Sequence, residues 1–182
     1  MSGGLDPVFV YALGAAVALV LLVGAVHKLR DLPAFAAAVE QYRLLPLALV
    51  GPVALTLPVA EAAAGLLLLF DVTRTMGAVL AFALVGAVTV AVSVTVARGR
   101  VDIDCGCGGI EGRQALSWAL VVRNVLFMAA VLAAGGVPAG RALQWIDRVT
   151  EVAGMLALFT AWGCASVLIA NRPVLARLRS QR

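Results

Sequence analysis

Five long apolar runs separated by short polar segments dominate the sequence. Each run holds about 20 residues, which is enough to cross roughly 30 Å of hydrocarbon as a helix. Nothing in the chain alternates between apolar and polar residues as the strands of a membrane β-barrel do. We therefore expect an all-α, polytopic integral membrane helical bundle with spans at about 8–27, 47–70, 75–97, 117–137 and 149–170.

The first connection carries a different pattern, which predicts an amphipathic interfacial helix at about 32–44. Asp31 is a good N-cap for this segment. Its apolar positions share one stripe, formed by Leu32, Phe35, Val39 and Tyr42. Such a helix lies in the interface plane. It seals the edge of the bundle on one interpretation and gates a substrate on the other.

Composition supports the membrane prediction. The 182 residues are 63% hydrophobic and 13% charged, with a mean hydropathy of +1.02, which leaves too little polar surface for a water-soluble globule. We treat residues 1–182 as one transmembrane domain. Because Met1 to Pro7 contain no Lys or Arg, we expect the first apolar run to stay as a span instead of being cleaved as a signal peptide.

The basic residues are distributed unequally between the two ends of a five-span bundle. The 32–44 segment, the third connection and the C-terminal tail share an end, and this end holds ten of the 14 basic residues. The positive-inside rule makes that end cytoplasmic in a multi-pass protein of the cell (plasma or inner) membrane. The basic tail is expected to contact lipid headgroups, and no nucleic-acid partner is predicted.

The third connection carries the candidate chemistry, in the sequence Cys105-Gly106-Cys107. A disulfide across one intervening residue closes a small ring and is easier to reduce than a structural bridge. Gly106 supplies the backbone freedom that such a ring needs and leaves both sulfurs approachable by a partner thiol. Cys105 and Cys107 are therefore the candidate catalytic pair.

Two other interpretations of this pair stay open. In the first interpretation, the two thiolates form half of a metal site. No third and fourth ligands are evident, since His27 is the only histidine, so no metal-binding residues are assigned. In the second, both thiols are spectators. Cys164, near the tail end of the last run, is either a redox relay or a small buried hydrophobe.

Polar residues inside the spans form a second group of candidates. Charged side chains at mid-membrane are costly and normally face the bundle interior. Glu61 and Arg123 are expected to pair, either as a structural ion pair or, with Asn124, as a polar floor beneath the cysteines. His27 and Lys28 end the first span, where contact with headgroups is the default and electrostatic support of a thiolate is the alternative.

Several short motifs together resemble the MauE-like membrane proteins of methylamine utilisation and, more loosely, the DoxX-type four-helix membrane proteins. They are His27-Lys28-Leu29-Arg30-Asp31 with Ala34-Phe35, Tyr42 with Leu44-Leu45-Pro46, Glu61 with Gly65, Arg98-Gly99-Arg100, Ile103-Asp104-Cys105-Gly106-Cys107-Gly108, and Trp118 with Val122-Arg123-Asn124. The resemblance implies a four-helix core plus a fifth C-terminal helix. The chain departs from the family at Gly108, where Phe is expected, and at Cys164, which matches no family position.

The resemblance also implies a function, namely a redox-associated protein that helps to form disulfides in an exported, methylamine dehydrogenase-like client alongside a thioredoxin-like partner. We interpret the chain as a thiol-disulfide exchange protein that acts through Cys105 and Cys107, although whether it is an enzyme is left open. A quinone is a candidate electron acceptor, by analogy with other membrane disulfide enzymes. A non-catalytic scaffold or assembly chaperone is the second interpretation, and a metal-handling membrane protein is the third. Maturation of an exported client requires the cysteines outside, whereas the charge rule predicts them inside.

Overall fold

The structure is a computed structural model that describes residues 5–101, 103, 105–106 and 115–180, with side chains as far as residue 171. Six α-helices form in the described residues. They are α1 (Pro7–Arg30), α2 (Leu32–Gln41), α3 (Leu47–Leu68), α4 (Arg74–Ala97), α5 (Trp118–Ala134) and α6 (Trp145–Ser180). The all-α prediction is confirmed.

Four of these helices are long and apolar enough to cross a membrane: α1, α3, α4 and the Trp145–Asn171 part of α6. The shorter α5 has 17 residues and is also apolar. At 1.5 Å per residue it is about 25 Å long, at the lower limit for a spanning helix. The chain is thus a polytopic helical membrane protein. Its last helix begins at Trp145 and ends at Ser180, so it extends beyond the expected 149–170 at both ends.

The helices α1, α3, α4 and α5 form a four-helix core in which each packs against two neighbours, in the order α1, α3, α4, α5 and back to α1. Helix α6 packs against the outside of α1. Backbones approach closely where α1 and α3 cross, because a Cβ on Gly65 would lie 3.1 Å from the carbonyl oxygen of Ala18. This arrangement is the four-helix core with an added C-terminal helix that the family resemblance implies.

Apolar side chains fill the interior and also cover the exterior of the bundle. The main core cluster contains Leu21, Leu68, Phe127 and Val131. On the outside, large apolar side chains such as Met76, Leu126 and Leu168 are each more than 60% exposed. An apolar exterior of this extent is suited to lipid and not to water.

Helix α2 has the predicted N-cap and the predicted stripe. The Asp31 carboxylate accepts a hydrogen bond from the Ala34 amide at 3.1 Å. Of the stripe, Phe35 is buried and Val39 is partly buried, and the helix packs against α3 and α1. The helix ends at Gln41, shorter than the expected end at 44, with Tyr42 as its C-cap.

Contacts identify which elements share each end of the bundle. Leu5 forms an isolated bridge with Pro138, and the guanidinium of Arg141 contacts both Asp6 and Asp147. The N-terminus of α1, the C-terminus of α5 and the start of α6 therefore lie together. At the opposite end, which we call the cysteine end, α2 packs against the segment that carries Cys105. The grouping of connections predicted from five spans is thus present.

Candidate functional site

Cys105 is disulfide-bonded and buried, with a relative exposure of 5%. Its predicted partner, Cys107, lies outside the described residues, as do Asp102, Asp104 and Gly108. Cys164 is a free thiol. The expectation that both sulfurs of the pair are approachable is wrong for Cys105, because this residue packs into an apolar cluster with Val92 and Leu120.

Two hydrogen bonds fix the described part of the cysteine segment. The hydroxyl of Tyr42 donates to the carbonyl oxygen of Cys105 at 2.8 Å, in a buried position. The amide of Leu116, two residues before the start of α5, donates to the Ile103 carbonyl at 3.1 Å. This bond joins the described residues on the two sides of the cysteine motif. A buried tyrosine normally needs a partner for its hydroxyl, so Tyr42 both packs and locates Cys105.

Gly106 is required by the fold of this segment. Its φ of +66° lies in the left-handed region that side-chain-bearing residues rarely adopt. A Cβ at this position would also lie 3.0 Å from the Cβ of Ala38 and 3.3 Å from the Cδ2 of Phe35. The glycine therefore lets the cysteine segment lie directly on α2.

A cavity of about 460 Å³ lies between α2, α3, α4 and the cysteine segment. Its volume falls within the range of about 300–1,000 Å³ that is typical of small-molecule sites. The lining is almost entirely apolar and is formed by Lys28, Phe35, Val39, Tyr42, Leu44, Leu45, Val53, Leu57, Ala87, Val88, Val90, Ala91, Val94, Cys105 and Gly106. The apolar stripe of α2 is thus one wall of a cavity that Cys105 also lines.

A buried ion pair lies at this cavity. The Lys28 ammonium donates to both carboxylate oxygens of Glu61, at 2.6 Å each, and each side chain is only 9% exposed. The ammonium also lies 5.5 Å from the centroid of the Phe35 ring. Contact with lipid headgroups, the default for Lys28, is therefore wrong.

The expected pair between Glu61 and Arg123 is also wrong, because Glu61 pairs with Lys28. The buried guanidinium of Arg123 donates to the Ser166 hydroxyl at 3.0 Å and to the Asn124 side-chain oxygen at 3.3 Å. It also stacks over the ring of Trp162, 4.9 Å from the centroid. Through these contacts Arg123 joins α5 to α6, and neither it nor Asn124 is among the described residues that line the cavity.

Two other candidates lie away from the cavity. His27 is exposed at the end of α1, whereas the adjacent Lys28 is buried. Cys164 is exposed on α6, two positions from the inward-facing Ser166. The structure brings neither residue to Cys105. Within the described part of the chain, no group of three or more His, Cys, Asp or Glu residues is placed to hold a metal ion.

The site therefore combines a buried disulfide-bonded cysteine, an apolar cavity and an ion pair, all at the cysteine end. A disulfide is a two-electron centre, and the volume and apolar lining of the cavity are suited to a small apolar molecule. Sequence reasoning did not assign a role at the site to Tyr42 or Phe35. The signal available for both was their position on the apolar stripe of α2.

Comparison with known proteins gives a consistent family assignment. Residues 6–139 match the family model described as "Methylamine utilisation protein MauE". The "Methylamine utilization protein MauE" of Paracoccus denitrificans is 37% identical over 129 residues, which cover 71% of this chain and 69% of the relative.

Two further relatives carry the same name. That of Paracoccus versutus is 35% identical, again over 71% of this chain and 69% of the relative. That of Methylophilus methylotrophus is 41% identical over 102 residues, which cover 56% of this chain and 54% of the relative. No solved structure matches the chain.

Proposed function

Because this chain belongs to the MauE family, a family of accessory membrane proteins of methylamine utilisation, we propose that it acts by thiol-disulfide exchange. Cys105 and Cys107 form the exchanging pair. The observation that carries the proposal is that Cys105 is disulfide-bonded and lines a cavity at the cysteine end. A bond that serves only as a structural bridge does not need a cavity beside it.

The burial of Cys105 assigns different roles to the two cysteines. Exchange requires a thiolate to approach a sulfur atom directly. At 5% exposure Cys105 is closed to another protein, so a partner thiolate attacks the Cys107 sulfur and releases Cys105 as the leaving thiolate. A second thiolate of the partner then attacks the mixed disulfide and releases Cys107. The partner dithiol is thereby oxidised to a disulfide, and the pair in this chain is reduced to two thiols.

The partner in this proposal is a thioredoxin-like protein or an exported client that acquires disulfides. Such a client lies outside the cytoplasm, where disulfides persist. We therefore place the cysteine end at the outer face of the cell membrane. The excess of basic residues at this end makes the opposite prediction. Labelling of the cysteines distinguishes the two orientations.

The test is labelling in intact cells with a membrane-impermeant maleimide, with and without prior reduction, in a Cys164→Ser background. The proposal predicts labelling only after reduction and without permeabilisation. Cys105→Ser and Cys107→Ser, each in the same background, assign the label to one sulfur. The burial of Cys105 predicts that Cys107 reacts faster in the reduced protein. Labelling confined to permeabilised cells would exclude maturation of an exported client.

The second step tests the chemistry. In cells that depend on this chain for methylamine growth, replacing both Cys105 and Cys107 by Ser should abolish maturation of the exported client, whereas Cys164→Ser should not. Cys105→Ser alone leaves Cys107 as a single thiol, which can attack the disulfide of an oxidised partner but has no second cysteine in this chain to resolve the product. A mixed disulfide should therefore accumulate, visible as a band that disappears on reduction. Full maturation with the double-serine chain would favour the scaffold interpretation instead.

A further inference from the structure

The cavity at the cysteine end contains more than an apolar surface. Cys105 lines one part of it, and Lys28, held by Glu61, lines another. The rings of Phe35 and Tyr42 also belong to the lining. A disulfide-bonded cysteine, a buried cation and aromatic walls thus surround one space of about 460 Å³ inside a membrane protein.

We propose that this cavity binds a membrane quinone, which accepts the electrons that Cys105 and Cys107 take from their partner. The inference rests on the proposed function, because it names the electron acceptor of the same disulfide. Whenever one partner dithiol is oxidised, Cys105 and Cys107 are left as two thiols. A second turnover therefore needs a two-electron oxidant that can reach these thiols. Cys105 is closed to proteins, whereas the cavity that it lines adjoins lipid-facing helices.

The chemistry of the lining fits a quinone ring. A quinone has an apolar, planar body with two carbonyl oxygens, and a site for it needs apolar walls with a hydrogen-bond donor at one edge. The walls are supplied by side chains such as Val53, Leu57 and Val88. The ammonium of Lys28 supplies the donor, since it carries three N–H groups.

The ion pair also favours a quinone over a lipid chain. An acyl chain has no polar atom at its apolar end and would gain nothing from an ammonium in the lining. A reduced quinone oxygen carries developing negative charge, which a nearby cation stabilises in a medium of low dielectric constant. Glu61 acts as a positioning residue in this arrangement, because it holds the Lys28 ammonium at 2.6 Å from both of its oxygens.

The reaction balances with the two cysteines and one quinone. The Cys105 thiolate adds to a ring carbon of the quinone, so that a carbon–sulfur bond forms and one oxygen takes a proton. The Cys107 thiolate then attacks the Cys105 sulfur, a sulfur–sulfur bond forms, the carbon–sulfur bond breaks and the ring leaves as the quinol. Two thiols lose two electrons and two protons, and the quinone gains both.

The test uses the purified full-length chain with Cys164→Ser in detergent micelles, reduced with dithiothreitol and desalted without oxygen. Decyl-ubiquinone is added, and loss of its near-ultraviolet absorbance is followed together with loss of protein thiols. We expect one quinol and one disulfide per chain. Oxidation of dithiothreitol by the oxidised chain without quinone is measured separately in the same preparations.

Matched variants locate the reaction. Ala91→Phe places a ring in the cavity and should slow quinone reduction at least tenfold, whereas Ala83→Phe, two turns earlier on an exposed position of α4, should not change the rate. Lys28→Met should also slow it, with partial recovery in Lys28→Arg. In Cys107→Ser, the Cys105 thiolate with bound quinone should give a visible charge-transfer absorption that Ala91→Phe removes.

The outcomes separate the two proposals. Equal quinone rates in Ala91→Phe and Ala83→Phe, or no quinol at all, overturn the quinone site. Phospholipid that co-purifies with the chain and is lost only in Ala91→Phe, without quinol formation, also overturns it and makes the cavity a lipid site. If dithiothreitol is still oxidised in those cases, thiol-disulfide exchange stands without the quinone. If dithiothreitol is not oxidised, thiol-disulfide exchange itself fails.

Discussion

Removal of one partner from the Lys28–Glu61 pair should destabilise the bundle strongly. Both side chains are 9% exposed, and the ammonium lies 2.6 Å from each carboxylate oxygen. Glu61→Gln keeps the size of the side chain and removes the charge, which leaves a lysine cation buried without its counterion. Breaking a buried pair in this way costs about 3–5 kcal/mol. The insertion cost of a central charged residue, about 2.5–3.5 kcal/mol, has a similar magnitude.

The expected change in melting temperature follows from this free energy. For a chain of this length, each kcal/mol corresponds to about 2–4 °C, so Glu61→Gln should lower the melting temperature by about 6–20 °C. Thermal unfolding of the purified chain in one detergent, followed by circular dichroism, measures it. Glu151→Gln is the matched control, because its partner Arg148 is 63% exposed and Glu151 itself 19% exposed, so water screens this pair more than the Lys28–Glu61 pair. Solvent-exposed pairs contribute about 0–1 kcal/mol.

A double variant tests whether the loss comes from the unpaired charge. Lys28→Met combined with Glu61→Leu removes both charges and keeps apolar volume, and such replacements of buried pairs are often neutral or stabilising. The double variant should therefore melt well above Glu61→Gln. A shift for Glu61→Gln no larger than that for Glu151→Gln would refute the reasoning, as would a double variant as unstable as the single one.

Three other predictions concern the cysteine segment and the opposite end of the bundle. Tyr42→Phe removes a buried hydrogen bond that contributes about 0.5–1.5 kcal/mol. A soluble phosphine should therefore reduce the Cys105 disulfide about two- to tenfold faster than in the unmodified chain. An unchanged reduction rate would contradict the role of the hydroxyl. Gly106→Ala should act in the same direction and cost at least about 1–2 kcal/mol, because its φ is +66°; unchanged phosphine kinetics would show that the segment relaxes freely. Hydrogen bonds from the Arg141 guanidinium and a backbone amide lower the pKa of Asp6 in the folded protein. The ionised Asp6 carboxylate therefore stabilises the fold above its unfolded pKa of about 3.8, and this stabilisation is lost as pH falls through the lower folded pKa. Asp6→Asn keeps a good helix cap and should remove this acid-dependent step from a pH titration of melting temperature, and a step that persists would assign it to another group.

The helices and their arrangement could be predicted because apolar periodicity and length are local properties of the sequence. The runs that became α1, α3 and α4 needed only their composition, and the amphipathic α2 needed its stripe and the Asp31 cap. In a membrane, backbone groups must be satisfied within each segment, so local composition determines the element more directly than in water. The cysteine motif was also identifiable, because its two cysteines flank one glycine in a short connection between two spans.

The cavity and the burial of Cys105 could not be predicted in the same way. They depend on contacts between residues far apart in the chain, such as the hydrogen bond between Tyr42 and Cys105, which are separated by 63 positions. Gly106 illustrates the difference. Its sequence context indicates flexibility, whereas its position against Ala38 shows that it is needed for close packing on α2.

The incorrect pairing of Glu61 with Arg123 has a geometric cause. Sequence reasoning put Lys28 at the end of the first span and so assigned it to the membrane surface, whereas α1 continues to Arg30 and Lys28 is buried. Glu61 is fourteen residues into α3, about 21 Å from its start, yet it contacts Lys28. Helix α3 must therefore begin well beyond the end of α1, and α2 fills the step between them, packed against α3. The cavity lies at this step, because Lys28 near the end of α1 lines it together with Val53 and Leu57 of α3.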